Sequence, residues 1–370
     1  MSRHTRGTGR RINSIQVARG LAALAVVAFH ALATQPKYFG ADVLPDFFSG
    51  GMVGIDLFFV ISGFVMVLTT RGRHGAVREV GVFAWNRAFR IYPTYWVYAL
   101  MLIPVVMFLP GFVNSSQGGN VDIVGSLLLL PGETLPILLV AWTLTLELWF
   151  YIVFAVILAL PERFLIPALG AWALVLVLLN WNGPQALHPL LQVPANSMAI
   201  EFIFGGVAAI LFRHVNRYIA IAAGALGVAV LLTLGTASII DIYSGPDLVR
   251  PLTVGLGFGL VVLGVTAFEQ HGGIGVFSKL RVLGDMSYSV YLSHVLVLAV
   301  TGRVWLAIAG PLWMNPLVTA LWWVATLVAV LGVGYASYRL IERPTQAFAK
   351  KWRLRVFSPV APEPKSVVHT

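Results

Sequence analysis

Ten apolar runs of 18 to 26 residues divide this chain of 370 residues, separated by segments rich in arginine, glycine or proline. They fall at 13–34, 52–70, 91–109, 141–160, 164–181, 194–212, 218–238, 249–268, 285–308 and 316–341. At a rise of 1.5 Å per residue, about 20 residues cross a hydrocarbon core of about 30 Å, so each run predicts a membrane-spanning helix. The runs do not alternate polar with apolar positions, as barrel strands must. The expected fold is an all-α integral membrane protein, a bundle of about ten transmembrane helices.

Composition agrees. Hydrophobic residues make up 58% of the chain and charged ones only 11%, with a mean hydropathy of +0.84, whereas soluble domains carry about 25% charge. The net charge of +10 suggests nucleic acid until the cations are placed along the chain. With the N-terminus in the cytoplasm, 21 of the 25 Lys and Arg fall in inner segments, leaving Arg19, Lys37, Arg250 and Arg303. That asymmetry is the positive-inside pattern and predicts both termini in the cytoplasm. The basic charge then reflects topology, and nucleic acid is not an expected partner. Cysteine is absent, which removes disulfides, thiolate metal sites and cysteine acyl relays; no metal site is expected.

Three regions follow: a basic segment 1–12, a membrane domain 13–346 and a basic, Pro-containing tail 347–370, both flanks cytoplasmic. The arginines at 3–11, the first apolar run and Ala31-Leu-Ala33 also fit a signal peptide. Cleavage would discard the charged groups of the first span, so an uncleaved anchor is the better reading. The outer stretch 110–140 is nearly uncharged, and its apolar middle (Leu127 to Leu130) is too short to span; it reads as a lid or a re-entrant loop.

Ionisable groups inside spans are costly and therefore functional candidates. Arg19 and His30 lie eleven residues apart in the first span. Eleven steps of about 100° bring them to one face, roughly 16 Å apart along the axis. Counted inward from the outer span ends, His30, Asp56, Glu147 and Glu201 fall in one layer, with His294 near mid-depth. A histidine with a carboxylate at matching depth suits a general base, because the carboxylate fixes the tautomer and stabilises the imidazolium. Asp56 is the first expected partner, since a short loop joins spans one and two, and Glu147 the second. His30 could equally bond a neighbouring carbonyl, Arg19 could snorkel to headgroups, and Glu201 and His294 could be structural. Arg87 and Arg90, at i and i+3, present paired forks suited to phosphate oxygens or to anionic lipid. Gly255-Leu-Gly257-Phe-Gly259 lies inside an apolar run and reads as helix packing rather than a dinucleotide loop.

Seven motifs occur in order: Arg19-x10-His30, Gly54-Ile-Asp56-Leu-Phe58-Phe59-Val-Ile-Ser62-Gly63-Phe64, Arg87-x-x-Arg90-Ile-Tyr92-Pro93, Trp142-Thr-Leu-Thr-Leu-Glu147-Leu-Trp-Phe150-Tyr151, Glu201-Phe202-x-x-Gly205, Ser287-Tyr288-x-x-Tyr291-Leu-x-His294 and Glu342-Arg-Pro344. Together, over about 13–346, they resemble the acyltransferase-3 family, ten-span bacterial enzymes that O-acylate carbohydrates. The resemblance implies a bacterial inner-membrane location, cytoplasmic acyl-CoA, with acetyl-CoA favoured, as a co-substrate rather than a bound cofactor, and a carbohydrate or lipid-linked acceptor hydroxyl at the outer side. It implies His30 as catalytic base and Arg19, Arg87 and Arg90 as donor-binding residues. One departure is visible, since Leu148 and Trp149 follow Glu147 where the family often has a polar residue. A fused extracytoplasmic domain, present in some relatives, is not expected here.

On this reading the phosphates dock at the arginines, the pantetheine arm runs along span one, and His30 deprotonates the acceptor. Ser62, Tyr288 and Tyr291 are alternative donors to the oxyanion, and direct transfer is preferred to an acyl-enzyme. The rival is a transporter or flippase using Glu147 and Glu201 as proton relays, although no internal repeat is seen.

Overall fold

The apolar runs do form helices. The computed structural model describes residues 12–39, 42–113, 120–181, 189–235, 248–272, 279–309 and 315–357, and no strand occurs among them. The principal helices are α1 (Asn13–Tyr38), α2 (Gly54–Thr70), α3 (Val77–Phe108), α4 (Trp142–Ala159), α5 (Leu165–Asn180), α6 (Ala199–Leu211), α7 (Arg217–Val230), α8 (Leu256–Gln270), α9 (Ser287–Ile308), α10 (Pro316–Ser337) and α11 (Arg343–Val356).

Eight helical stretches among the described residues are long and apolar enough to cross a membrane, rather than the ten expected. The difference lies at the sixth and seventh runs. There the apolar helices Ala199–Leu211 and Arg217–Thr233 are shorter than a full span, because 194–198 is spent in turns and 236–247 lies outside the described residues. The third run is instead the C-terminal part of a longer helix: α3 starts at Val77, so Arg87 and Arg90 sit inside it and not at its mouth. Residues 31–33 lie within α1. From 347 the expected tail continues as α11, which packs on α3 through Trp85 Nε1 donating to the Ala349 carbonyl at 3.0 Å and Arg353 to Asn86 Oδ1 at 3.0 Å. The expectations for 1–11 and 358–370 lie outside the described residues.

Glycines set how closely the helices approach. A Cβ on Gly205 of α6 would lie 1.8 Å from the Val60 carbonyl oxygen of α2, and one on Gly63 of α2 1.9 Å from that of Phe202. The two backbones are therefore in direct contact, as small-residue packing allows. Gly205→Val should force the pair apart and lower stability by about 1–3 kcal/mol. Thermal unfolding of the detergent-solubilised protein measures this, and an unchanged midpoint would refute the contact. Gly257 of α8 meets Gly227 and Leu231, so the Gly255–Gly259 run is helix packing, as expected.

Two connections decide where the chemistry lies. After α1 the chain returns as a 3-10 helix, Asp46–Val53, pressed on α1 so tightly that a Cβ on Gly51 would lie 2.1 Å from the Ala25 oxygen. Consequently α2 begins beside Ala22 and Val26 rather than level with the end of α1. The second connection is 120–141. Its short helix Ile123–Leu128 is capped by Asp122, whose Oδ1 accepts from Gly125 N at 2.9 Å. Tyr95, Trp96 and Tyr92 of α3 donate to the carbonyls of Ser126, Leu127 and Leu128 at 2.6, 2.9 and 3.0 Å. Tyr92 precedes the end of α3 by sixteen residues, about 24 Å, so this connection dips deep along α3. The dip satisfies backbone groups that hydrocarbon cannot.

Candidate functional site

The arginine-rich ends of α2 and α3, with α8 and α11, surround a vestibule of about 1130 Å³. Arg71, Arg73, Arg87, Arg90, Arg213, Lys350 and Arg353 line it, against two acids, Glu79 and Glu269. Both acids are engaged. Glu79 pairs with Arg78 at 2.8 Å and Arg73 at 3.8 Å. Glu269 accepts from the backbone N–H groups of Asn13 and Ser14 at 2.8 Å each, closing the otherwise orphaned first turn of α1 at its positive dipole end. The vestibule keeps a strong positive excess, suited to an anionic ligand of several phosphates.

A second, smaller cavity of about 80 Å³ continues inward from it, the two sharing Val65, Arg87 and Arg90. Arg19, Ser62, Glu147, Tyr288 and Tyr291 line this inner cavity together with Phe58 and Thr143. Residues from five helices that are far apart in sequence thus meet here. Among the described residues no carboxylate lies within ion-pair distance of Arg19, Arg87 or Arg90. Arg87 instead lies over the rings of Phe83 and Tyr151, at 5.3 and 5.1 Å from their centroids. Glu147 Oε1 accepts from Ser62 Oγ at 2.7 Å and from the Tyr151 hydroxyl.

The three oxyanion candidates are already committed. The Ser62 proton is held by Glu147, the Tyr288 hydroxyl donates to the Ile91 carbonyl at 2.8 Å, and the Tyr291 hydroxyl to that of Val140 at 3.0 Å, with Thr143 Oγ1 at 2.7 Å. The guanidinium N–H groups of Arg19 and Arg90 carry no such hydrogen bond among the described residues, which makes them the better-placed donors in this cavity. Tyr291 lines it with its ring 5.8 Å from that of Phe58.

His30 is not in the lining. Its partner is neither Asp56 nor Glu147 but His294, whose Nε2 is 3.2 Å from His30 Nδ1, with ring centroids 4.9 Å apart. The Tyr291 and His294 rings are 5.8 Å apart. The pairing follows from parallel packing of α1 and α9. Gly284, just before α9, abuts Gln16; His294 meets His30; Gly302 meets Tyr38. The contacts advance together along both helices, so the two histidines share a depth.

Asp56 is corrected for a physical reason. The fold-back before α2 starts that helix beside Ala22 and Val26, which puts Asp56 at least a turn below His30. There it is fully buried and bound in bidentate fashion by Arg250 Nε and Nη2 at 2.8 Å each. Glu201 is wholly buried beside this pair, and neither of its oxygens makes a well-formed hydrogen bond. The expected single layer of His30, Asp56, Glu147 and Glu201 therefore separates into three places: a histidine pair, an ion-pair cluster and the cavity wall. Arg250 was missed as a site residue. Its signal was present, since it is one of four cations outside the inner segments and two nearby spans carry unmatched carboxylates.

The family profile described as an acyltransferase domain matches residues 12–339. The chain is 29% identical over 317 residues to the exopolysaccharide production protein ExoZ of Rhizobium meliloti strain 1021, covering 83% of this chain and 93% of that protein. It is 30% identical over 122 residues to the peptidoglycan O-acetyltransferase OatA of Listeria monocytogenes serovar 1/2a, covering 32% of this chain and 18% of that protein. No solved structure matches significantly. The match runs through α1 to α10 and so includes the vestibule's Arg71 and Arg73 after α2 and Arg87 and Arg90 on α3, the inner cavity and the histidine pair: this chain belongs to the acyltransferase-3 family.

Proposed function

We propose that this protein O-acylates a hydroxyl of an exported or surface carbohydrate, with acyl-CoA as donor and His30 as general base. The observation that carries the reading is the continuous path from the arginine vestibule, through Arg87 and Arg90, into a cavity lined by Tyr291, whose ring lies 5.8 Å from that of His294, the partner of His30. The positive-inside distribution supports a cytoplasmic vestibule and cytoplasmic termini, on the side where acyl-CoA is available. ExoZ and OatA, by name, act in exopolysaccharide production and peptidoglycan O-acetylation, which favours a glycan acceptor and an acetyl group.

The diphosphate and 3′-phosphate of the donor bind the vestibule cations, and its thin pantetheine arm enters between Val65, Arg87 and Arg90. Arg19 and Arg90 face the thioester and donate to the oxygen on which negative charge develops. His30 takes the acceptor proton as that oxygen attacks, and the thiolate of CoA leaves toward the cytoplasm. Tyr291 links the two regions: it lines the cavity, and its ring lies 5.8 Å from that of His294.

The test uses inverted membrane vesicles supplied with labelled acetyl-CoA on the exposed cytoplasmic face. Label should pass to the carbohydrate fraction only when the protein is present. Arg87→Ala with Arg90→Ala should raise the acyl-CoA KM by about 10-fold or more, since each charge-assisted contact contributes about 1.5–3 kcal/mol. Label transfer that needs no acyl-CoA, or an unchanged KM in the double variant, defeats the donor assignment.

A further inference from the structure

We infer that His294 is a positioning residue that fixes the tautomer of His30, in the place where a carboxylate would ordinarily stand. The inference rests on the reading of His30 as the base and adds which nitrogen of that ring takes the proton, and why. His294 Nδ1 lies 2.7 Å from the Tyr291 carbonyl oxygen and 3.2 Å from that of Val290. Carbonyls only accept, so this nitrogen carries the proton of the neutral ring and Nε2 carries the lone pair. That lone pair faces His30 Nδ1 at 3.2 Å. The other neighbour of His30 Nδ1 is the Val26 carbonyl at 3.0 Å, again an acceptor only.

Both partners of His30 Nδ1 accept, and therefore Nδ1 holds the hydrogen. The remaining nitrogen, Nε2, is left with its lone pair, which is the form a general base requires. When Nε2 takes the acceptor's proton, the imidazolium keeps its Nδ1–H on His294, and the ring does not have to turn. A neutral imidazole performs the orienting role of the carboxylate in a catalytic triad, without placing an anion in the apolar layer. His294 is wholly buried on α9, and its own orientation is set by the helix backbone one turn earlier. Orientation thus passes from the α9 backbone through His294 to the working nitrogen of His30.

Nitrogen-15 solid-state NMR of histidine-labelled protein in membranes reads the tautomer directly. The resonances lost in His30→Ala identify His30. In the wild type they should show a protonated Nδ1 and a lone pair on Nε2; the opposite tautomer overturns the inference without any variant of His294. His294→Leu removes the acceptor and should mix the His30 tautomers. It should also lower kcat by about 10–100-fold, the usual effect of losing an orienting partner, with the acyl-CoA KM within about twofold of wild type. His294→Gln, whose amide oxygen can accept at the same depth, should recover most of the loss. Wild-type kcat in His294→Leu, or equal defects in the Leu and Gln variants, overturns the positioning role. A fully active His30→Ala would instead remove the base assignment itself, so the two failures are distinguishable.

Discussion

His30→Ala is expected to lower acceptor acylation by about 10²–10⁴-fold, the usual contribution of a positioned general base, while the protein still inserts at wild-type levels. The argument is geometric. His30 stands on α1 outside the cavity lining, with Nδ1 held by Val26 and His294. An alanine there takes away the proton acceptor but none of the vestibule or cavity cations. The defect should therefore appear in kcat, and the acyl-CoA KM should stay within about threefold. Initial rates in vesicles, normalised to protein by immunoblot, give both numbers. A variant that acylates the acceptor at the wild-type rate would show that the hydroxyl is deprotonated elsewhere, with Glu147 the next carboxylate to examine. A variant with normal kcat and a raised KM would move His30 into donor binding.

Arg250→Leu should be the most destabilising single change in the bundle, by about 3–5 kcal/mol, because it strands a buried charge. Asp56 is fully buried and has both carboxylate oxygens on Arg250 at 2.8 Å. Glu201, beside it, is also fully buried. Taking away the guanidinium leaves two carboxyl groups against the α2–α6 contact with no cation between them. The expected result is a large fall in the amount of folded, detergent-stable protein. Arg250→Leu combined with Asp56→Asn removes both charges and should regain much of the loss, since replacing a whole buried pair by neutral groups is often close to neutral in stability. Fluorescence-detected size-exclusion chromatography with a thermal ramp measures each variant. If the single variant is as stable as wild type, or the double variant no better than the single, the ion pair does not hold these helices together. The expected division of roles is that Asp56 acts on stability, whereas His30 acts on rate.

The sequence by itself determined the class of structure, the family and most of the site's membership. Apolar runs of about 20 residues leave the backbone no way to satisfy its hydrogen bonds in hydrocarbon except as helices, and the seven ordered motifs pointed to a family that the profile match bears out. Arg19, Ser62, Arg87, Arg90, Glu147, Tyr288 and Tyr291 were singled out from spacing, depth and resemblance, and the fold gathers them around one cavity. The extent of the spans was less legible, because α3 runs on through polar sequence that a hydropathy window excludes.

Only the tertiary structure decided who touches whom. Depth counted from span ends assumes that every helix starts at the same surface. The 3-10 segment Asp46–Val53 breaks that assumption by folding back along α1 and starting α2 beside Ala22 and Val26. Asp56 therefore drops away from His30 and meets Arg250, 194 residues further on, while His294 arrives from 264 residues away at the depth Asp56 was expected to hold. Partners so distant in sequence are set by helix register, and register depends on glycine contacts such as Gly284 against Gln16 and Gly205 against Val60. A periodicity marks which face of a helix is apolar; it carries no measure of how far one helix slides along another.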